Sequence, residues 1–347
     1  MGNNKVLTAV VILNWNGRSF LEKFLPSLIE YSLGADVIVV DNDSTDDSVN
    51  FLHRKFPNVR CIQNTANGGF AKGYNDGLAQ IQGEYAYYVL INSDIEVTPN
   101  WLEPLVDKMK DDNIAGVQPK VLAYNNKSHF EHAGASGGFM DKNYYPFCRG
   151  RLFDEMEKDH GQYDNEKEIF WTTGACMIIR ASVFHELGGF DADFFAHMEE
   201  IDLCWRAKKR GYSFFVVPAS RVYHVGGGTL NYENPRKTFL NFRNSLYMIH
   251  KNHDGWLFGK IVYRMLLDGL AAFKYLIALR GTHVLAVLRA HFAYYRQLKE
   301  LNKKRKFIKA SSTEFNKVGF YKASLVWAYF FKGIKSFKAL NKRFFVN

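Results

Sequence analysis

Through the first third of the chain, apolar residues gather into short runs at 6–13, 37–41, 59–63, 85–92 and 114–118, each the length of a buried strand. Between the first two, Leu21, Phe24, Leu25, Leu28 and Ile29 recur at helical spacing, with Pro26 expected to kink that helix. Thr98-Pro99 ahead of Trp101 reads as an N-cap followed by proline in the first helical position. Strand alternating with helix predicts βαβ units and a parallel sheet. Residues 119–168 are polar and rich in Gly and Asn, the pattern of an irregular insertion or substrate loop. Order returns with an apolar run at 169–180, a Gly-Gly-Phe-Asp turn at 188–191, a helix near 199–210 stopped by Gly211, and a strand at 214–217. Beyond about residue 250 the pattern becomes long and helical. There Lys260, Arg264, Asp268 and Lys274 fall within an arc of roughly 120°, which makes an amphipathic helix. No charge-free run approaches the roughly 20 apolar residues of a membrane span. The expected fold class is therefore α/β: a mostly parallel Rossmann-like sheet with helices on both faces, then an amphipathic helical region. The expected division is 1–250, with a nucleotide-binding half at 1–118 and an acceptor half at 119–250, followed by a basic helical region at 251–347.

Composition sharpens this picture at two points. With 347 residues, 47% of them hydrophobic and 16% aromatic, the chain buries a large core, which excludes disorder as the main state. The formal charge of +10 is concentrated: residues 299–347 hold 13 Lys/Arg against 2 Asp/Glu, and the rest of the chain is close to neutral. A neutral body with a basic tail is not a nucleic-acid reader, which carries its charge on the folded reading surface. The four cysteines lie far apart without a C-x-x-C pair, so neither a zinc knuckle nor a disulfide framework is suggested.

Ligands of open α/β sheets sit beyond the carboxyl ends of the strands. Here those ends are polar: Asn14-Trp15-Asn16-Gly17, Asp41-Asn42-Asp43-Ser44, the segment Asn64 to Gly73, and Asn92-Ser93-Asp94. Asp41 stands where a carboxylate accepts hydrogen bonds from a nucleobase or ribose. The loop Asn67-Gly68-Gly69-Phe70-Ala71-Lys72-Gly73 is glycine-rich ahead of a helix but lacks both the G-x-G-x-x-G spacing and the G-K-[ST] ending. Asp94 closes an apolar strand, where a carboxylate either caps a turn or holds a divalent cation against a diphosphate. Glu199-Glu200-Ile201-Asp202 opens a helix, where acids also serve the helix dipole, and Asp202 with Arg206 is an ordinary i, i+4 pair. Both glutamates follow the aromatic pair Phe194-Phe195, and an unpaired carboxylate beside apolar rings suits a general base. His224 precedes three glycines, Gly226-Gly227-Gly228 after Val225, which allow close backbone approach beside the imidazole.

Taken in order, the motifs at 10–17, 39–46, 67–75, 92–94, 173–175, 188–191, 199–203 and 224–229 resemble those of the family 2 glycosyltransferases, especially the bacterial rhamnosyltransferase-like branch, over about residues 5–250. The resemblance implies a GT-A fold and inverting sugar transfer from a nucleoside diphosphate donor, such as dTDP-rhamnose or a UDP-sugar, to a glycan hydroxyl. It implies donor contacts from Asn14, Asn16, Asp41, Asn67, Gly69, Lys72, Asn75, Asn92 and Ser93. Asp94 and His224 match the site of a divalent cation, Mg²⁺ or Mn²⁺. Glu200 matches the catalytic base, with Glu199 and Asp202 as neighbours shaping the acceptor site. Asn92 stands where many relatives have the first Asp of D-x-D, and Glu200 where many have Asp. A diphosphate leaving group gains negative charge as the glycosidic bond breaks, and an acceptor hydroxyl needs one base, so the residues suit transfer by single displacement. The rival reading is a catalytically inactive, membrane-attached protein that binds glycan or nucleotide. For the tail, a helical projection puts Lys332, Lys335, Lys338 and Lys342 on one face and Ile334, Phe337 and Phe344 opposite, the pattern of a basic helix in a membrane interface. Interleaved aromatics also admit a nucleic-acid stacking platform or a solvated tail. The expectation is an anionic membrane surface, no nucleic acid, a lipid-linked acceptor in cell-envelope polysaccharide assembly, and a peripheral location on the cytoplasmic membrane's inner face.

Overall fold

The computed structural model describes residues 7–226 and 234–347. The strands are β1 (Thr8–Asn14), β2 (Ala35–Asp41), β3 (Arg60–Gln63), β4 (Tyr87–Asn92), β5 (Ile95–Val97), β6 (Ile114–Ala123), β7 (Asn126–Phe130), β8 (Gly138–Asp141), β9 (Pro146–Cys148), β10 (Arg151–Leu152), β11 (Glu155–Met156), β12 (Lys167–Ile169), β13 (Cys176–Arg180), β14 (Ser213–His224) and β15 (Phe320–Tyr321). The helices are α1 (Arg18–Tyr31), α2 (Ser48–Lys55), α3 (Gly69–Ala79), α4 (Glu103–Lys108), α5 (Ala181–Glu186), α6 (Glu199–Lys208), α7 (Pro235–Asn252), α8 (Leu257–Ile277), α9 (Gly281–Arg296) and α10 (Leu298–Ala310). A central ten-stranded sheet runs β12-β14-β6-β13-β4-β1-β2-β3, with β5 paired to β14 and β7 to β6. Pairing is parallel across β3, β2, β1 and β4, as the alternating pattern predicts. Beyond β4 the expected parallel order fails, because β13 inserts antiparallel between β4 and β6. The sheet is thus mixed, and its parallel half is the one with the polar rim.

Period-two alternation in β1 supplies both faces of the sheet: Val10 and Ile12 pack with Leu21 and Leu25 of α1, while Ala9 and Val11 pack with Tyr74 and Leu78 of α3. Helix α1 runs through Pro26, which lies inside it. Within residues 119–168, which the pattern left open, short strands alternate with turns and irregular segments. They extend β6, add β7 and build most of a second, five-stranded sheet, β11-β10-β9-β8-β15.

The C-terminal region departs from expectation in two ways. First, it folds back: β15 pairs in parallel with β8, and the core that contains Tyr74 and Leu203 continues to Leu301, Leu325 and Leu340. The boundary expected at 250 therefore separates no independent cores. Second, the basic helix expected over Lys332–Lys342 is replaced by short 3₁₀ turns at Phe337–Ala339 and Lys342–Phe344. Gly333 turns the chain at a φ of +66°, and the ring of Phe337 settles 4.9 Å from Phe139 and 5.2 Å from Phe345. A short helix is marginal by itself, so burying these rings on the second sheet outweighs its local hydrogen bonds. Among the described residues no helix is long and apolar enough to cross a membrane.

Candidate active site

Parallel register puts the ends of β1, β2 and β4 side by side, with Asn14 opposite Asp41 and Leu13 opposite Asn92. Asn14 donates through Nδ2 to Asp41 Oδ2 at 3.0 Å, and Asp41 Oδ1 accepts from the Ser44 amide at 2.9 Å. Asn16, in left-handed backbone at φ +50°, accepts from the Thr45 amide at 2.7 Å. Asn14 and Asp41 are buried, so they brace the rim, and Asn14 Oδ1 is left buried without a partner.

Asn67 and Asn75 also serve as braces. Asn67 Oδ1 accepts from Asn42 Nδ2 and from the Gly69 amide, both at 2.9 Å. Asn75 bonds both the amide (2.9 Å) and the carbonyl (2.8 Å) of Phe190. Lys72 is exposed and paired with Asp76 one turn on, at 2.6 Å. Asn42 and Asn64, which sequence reasoning left unassigned, are central to this rim: Asn64 Nδ2 donates to Asn42 Oδ1 and to the Gly73 carbonyl, each at 3.0 Å. Buried side-chain amides at adjacent strand ends were the available signal. Gly69 has a φ of +77°, and a Cβ there would lie 2.6 Å from the carbonyl oxygen of Phe195. That close approach joins the glycine-rich loop to the segment leading into α6, and the Ala71 amide donates to the same carbonyl at 3.2 Å.

His224 is placed by strand pairing on both sides, with Ile95 of β5 and Ala123 of β6 as register partners. Its Nε2 stands 3.2 Å from Asp94 Oδ1 and 3.5 Å from Asn92 Nδ2, and its Nδ1 stands 3.1 Å from Glu131 Oε2. Glu131, another residue without a sequence signal, follows β7, which reaches the site through its pairing with β6. Burial works against the charge on these groups, but the contacts outweigh it. His224 is raised to about 10, and Asp94 and Glu131 are held below the usual carboxylate range. Gly227, Gly228 and Thr229 of the motif lie outside the described residues.

Among the described residues no three of His, Cys, Asp or Glu converge as a complete metal cage. The donor set nonetheless fits a cation shared with a ligand. A carboxylate oxygen and an imidazole nitrogen 3.2 Å apart have the spacing of neighbouring ligands on one ion, about 3 Å. Glu131 behind Nδ1 is the usual support of a ligating histidine.

The acid cluster starts α6. Three residues just before it, Phe195, His197 and Met198, take positive φ of 64°, 71° and 73°. Such backbone costs on the order of 1–3 kcal/mol per residue and persists only where neighbours hold it. Helix α7 supplies the hold: Asn244 Nδ2 lies 2.9, 2.8 and 2.7 Å from the carbonyls of Phe194, Ala196 and His197, and Arg243 donates to those of Asp193 and Phe194 at 2.9 Å. Glu199 and Glu200 each keep an Oε2 that is buried and unpartnered. Burial pushes Glu200 up to about 7, with the amides at the start of α6 pulling the other way. Burial and then the Glu200 charge push Glu199 well above the carboxylate range. A Cβ on Gly174 would lie 3.7 Å from Glu200 Cβ and 3.3 Å from the Phe70 ring, so Glu200 borders the glycine-rich loop.

Asp202 is turned into the interior rather than toward the sheet rim's open side. It is fully buried and bonded to Arg206 (2.8 Å), Lys251 (2.9 Å) and Asn252 (2.8 Å), and Lys251 also pairs with Asp191 at 2.5 Å. Its carboxylate is consumed by a network that ties α6 to α7. Asp202→Ala leaves two cations buried with less compensation and is expected to cost about 3–5 kcal/mol of stability, read by urea denaturation.

Comparison with known proteins agrees with this architecture. A family model described as glycosyl transferase family 2 matches residues 9–188, just over half of the chain. An N-acetylglucosaminyl-diphospho-decaprenol L-rhamnosyltransferase of Mycobacterium tuberculosis is 25% identical over 262 residues, covering 71% of this chain and 85% of that protein. The low-salt glycan biosynthesis hexosyltransferase Agl10 of Haloferax volcanii is 23% identical, covering 68% of this chain and 73% of its own. Among solved structures, the mannosyltransferase PcManGT from Pyrobaculum calidifontis, in complex with GDP-Man and Mn²⁺, superposes with a TM-score of 0.52 at 15% identity over 87% of this chain and 85% of its own. GalNAc-T7 with UDP, GalNAc and Mn²⁺ gives a TM-score of 0.56 at 18% identity, over 73% of this chain and 49% of that one. At such identities the likeness speaks for the fold alone, which is GT-A. With its motifs in family order on a GT-A sheet rim and the family model matching residues 9–188, this chain belongs to glycosyl transferase family 2.

Proposed function

We propose that the protein is an inverting glycosyltransferase that moves a sugar, rhamnose in the first instance, from a nucleoside diphosphate donor to a hydroxyl of a lipid-linked glycan at the cytoplasmic face of a membrane. One observation carries the catalytic part: Glu200 has a buried, unpartnered carboxylate oxygen on the segment that packs against the glycine-rich loop. The donor lies along the ends of β1, β2 and β4, with Asn16, Asn92 and Ser93 as candidate contacts and Asn14, Asp41 and Asn67 holding the rim in shape. A divalent cation, held by Asp94 and His224 together with the donor's diphosphate, would stabilise the charge that develops on the leaving group. Glu200 removes the acceptor proton as the hydroxyl attacks the anomeric carbon from the face opposite the nucleotide. Burial and the Glu200 charge raise Glu199 well above the carboxylate range, so of the two acids Glu200 is the better placed to accept the proton.

The donor is supported by the rhamnosyltransferase relative, and the acceptor by that relative's decaprenol-linked substrate. A panel of nucleotide sugars, scored by nucleoside diphosphate release with Mg²⁺, with Mn²⁺ and with chelator, tests the assignment. Turnover of dTDP-rhamnose above all others is the expected result, and binding of donor without turnover of any of them would favour the inactive-binder reading that Asn92 motivates. The pH profile is a second check. A base must be ionised to accept a proton, and Glu200 titrates at about 7, so kcat/KM is expected to fall about tenfold per pH unit below that point and to level above it.

A further inference from the structure

Helices α8 and α9 are built with their charge inward. Arg264 and Asp268, one turn apart on α8, are buried and bonded at 2.8 Å, and His291 of α9 approaches the same carboxylate at 3.3 Å. The Arg264 guanidinium lies 4.1 Å from the centre of the Tyr145 ring, so Arg264 and Asp268 of the polar arc face the body, while Lys274 at its edge is exposed. The opposite face is apolar and open. Leu266, Leu270, Phe273 and Ile277 of α8, spaced at i, i+4, i+7 and i+11, with Leu288 and Phe292 of α9, are 58 to 68% exposed. In a surface helix this stripe normally faces the core. A contiguous apolar face on a folded body marks an interaction surface.

The charges around the stripe indicate what covers it. Between residues 257 and 296 the only acid is the buried Asp268, whereas Lys274 and Arg289 are exposed. Among the described residues the hairpin therefore offers apolar side chains with cations beside them, which matches an anionic lipid interface. A second copy of the chain fits less well, since a two-fold contact would bring the cations of both hairpins together with no exposed acid of residues 257–296 to pair them. The patch continues onto another segment. Trp327 and Phe331 are exposed and stack at 4.4 Å, and neighbouring Phe330 lies 5.7 Å below the Lys274 ammonium of α8. A tryptophan beside lysines is the usual composition of a membrane-interface belt.

We propose that the outward face of the α8–α9 hairpin, with the Trp327–Phe331 turn beside it, is the surface on which the protein lies in the headgroup region of an anionic bilayer. This relocates the membrane contact from the basic tail helix, which does not form, to an inverted helical hairpin. It also gives the hairpin a fixed relation to the catalytic loop. Helix α7, whose Asn244 holds the carbonyls ahead of Glu199, bonds to α9 through Thr238 with His283 and His250 with Tyr294, each at 2.8 Å. The inference rests on the lipid-linked acceptor only for the reason a membrane is needed; the surface is argued from its own residues.

The test is co-flotation of the full chain with vesicles of phosphatidylcholine alone and of phosphatidylcholine mixed with phosphatidylglycerol. Binding is expected to the mixed vesicles and to weaken with salt. The variant Leu270→Ser with Phe273→Ser is expected to lower the bound fraction at least about tenfold. Lys338→Glu with Lys342→Glu, on the former helix projection and farther along the chain from the Trp327–Phe331 turn, is expected to lower it only about twofold. Both substituted apolar residues are solvent-exposed, and an unchanged thermal transition confirms that the variant folds. Absence of wild-type flotation, flotation insensitive to the hairpin variant, or a dimer that the hairpin variant splits without any vesicle binding would each overturn the proposal. Flotation reads without sugar transfer. Its failure with normal donor turnover therefore removes the membrane surface alone, and normal flotation without turnover of any donor removes the transferase assignment alone.

Discussion

Glu200→Gln is expected to reduce kcat for sugar transfer by about three orders of magnitude, within the usual 10²–10⁴-fold range for a general base, with donor KM nearly unchanged. Glutamine keeps the size of the side chain and removes its ability to accept a proton, so the acceptor hydroxyl remains a poor nucleophile. Glu199→Gln is the informative control. Burial and the Glu200 charge raise Glu199 well above the carboxylate range, which favours its neutral form, and an amide resembles a neutral carboxyl, so this variant should stay within about tenfold of wild type. The acidic limb near pH 7 should vanish in Glu200→Gln and persist in Glu199→Gln. Equal losses in both variants would mean that the two acids have been assigned the wrong roles.

Asp94→Ala is expected to lower kcat/KM by about 10²–10³-fold, the loss typical of removing one group aimed at developing charge. The carboxylate sits 3.2 Å from His224 Nε2, and in the proposed mechanism the two would hold the cation at the diphosphate. The variant should therefore need a higher concentration of Mn²⁺ for half-maximal activity, measured by nucleoside diphosphate release across a metal titration. Asp94→Asn, which keeps an oxygen donor without the charge, should fall between. Wild-type turnover by Asp94→Ala at all metal concentrations would remove this residue from the site.

The two experiments probe parts of the site that differ in how visible they were in the sequence. Asn14, Asp41 and Asn92 were legible because a parallel strand places its last polar residue at the sheet rim, and β1, β2 and β4 were readable as apolar runs. Glu131 was not legible. It reaches His224 only through the pairing of β7 with β6 and of β6 with β14, which are contacts between distant segments within polar sequence. Asn244 was hidden for a related reason. Nothing in the pattern of α7 shows that one amide will face three carbonyls of a strained loop about 50 residues away.

The helical regions divide in the same way. The period of α8 was plain, and so was its polar arc, but a period says which residues share a face and leaves open which face is inside. Arg264 and His291 both bond to Asp268 against the body, so the charged centre of the arc is buried and the apolar face is left to another environment. In the tail, local spacing suggested a helix with lysines on one side. The aromatic rings at 337 and 345 instead found partners near residue 139, and the chain turned at Gly333 to deliver them.

Sequence by itself determined the alternating strands and helices of the first third of the chain, the polar rim at their carboxyl ends, the order of motifs and the acids that open α6, because these depend on local period and on neighbours in the chain. Tertiary structure alone decided that β13 runs antiparallel, that Asp202 is consumed by Arg206 and Lys251, that Glu131 stands behind His224 and that α8 faces outward with its apolar side. Each of these rests on burial and pairing between segments far apart in sequence, where the free energy of a contact depends on which partner arrives.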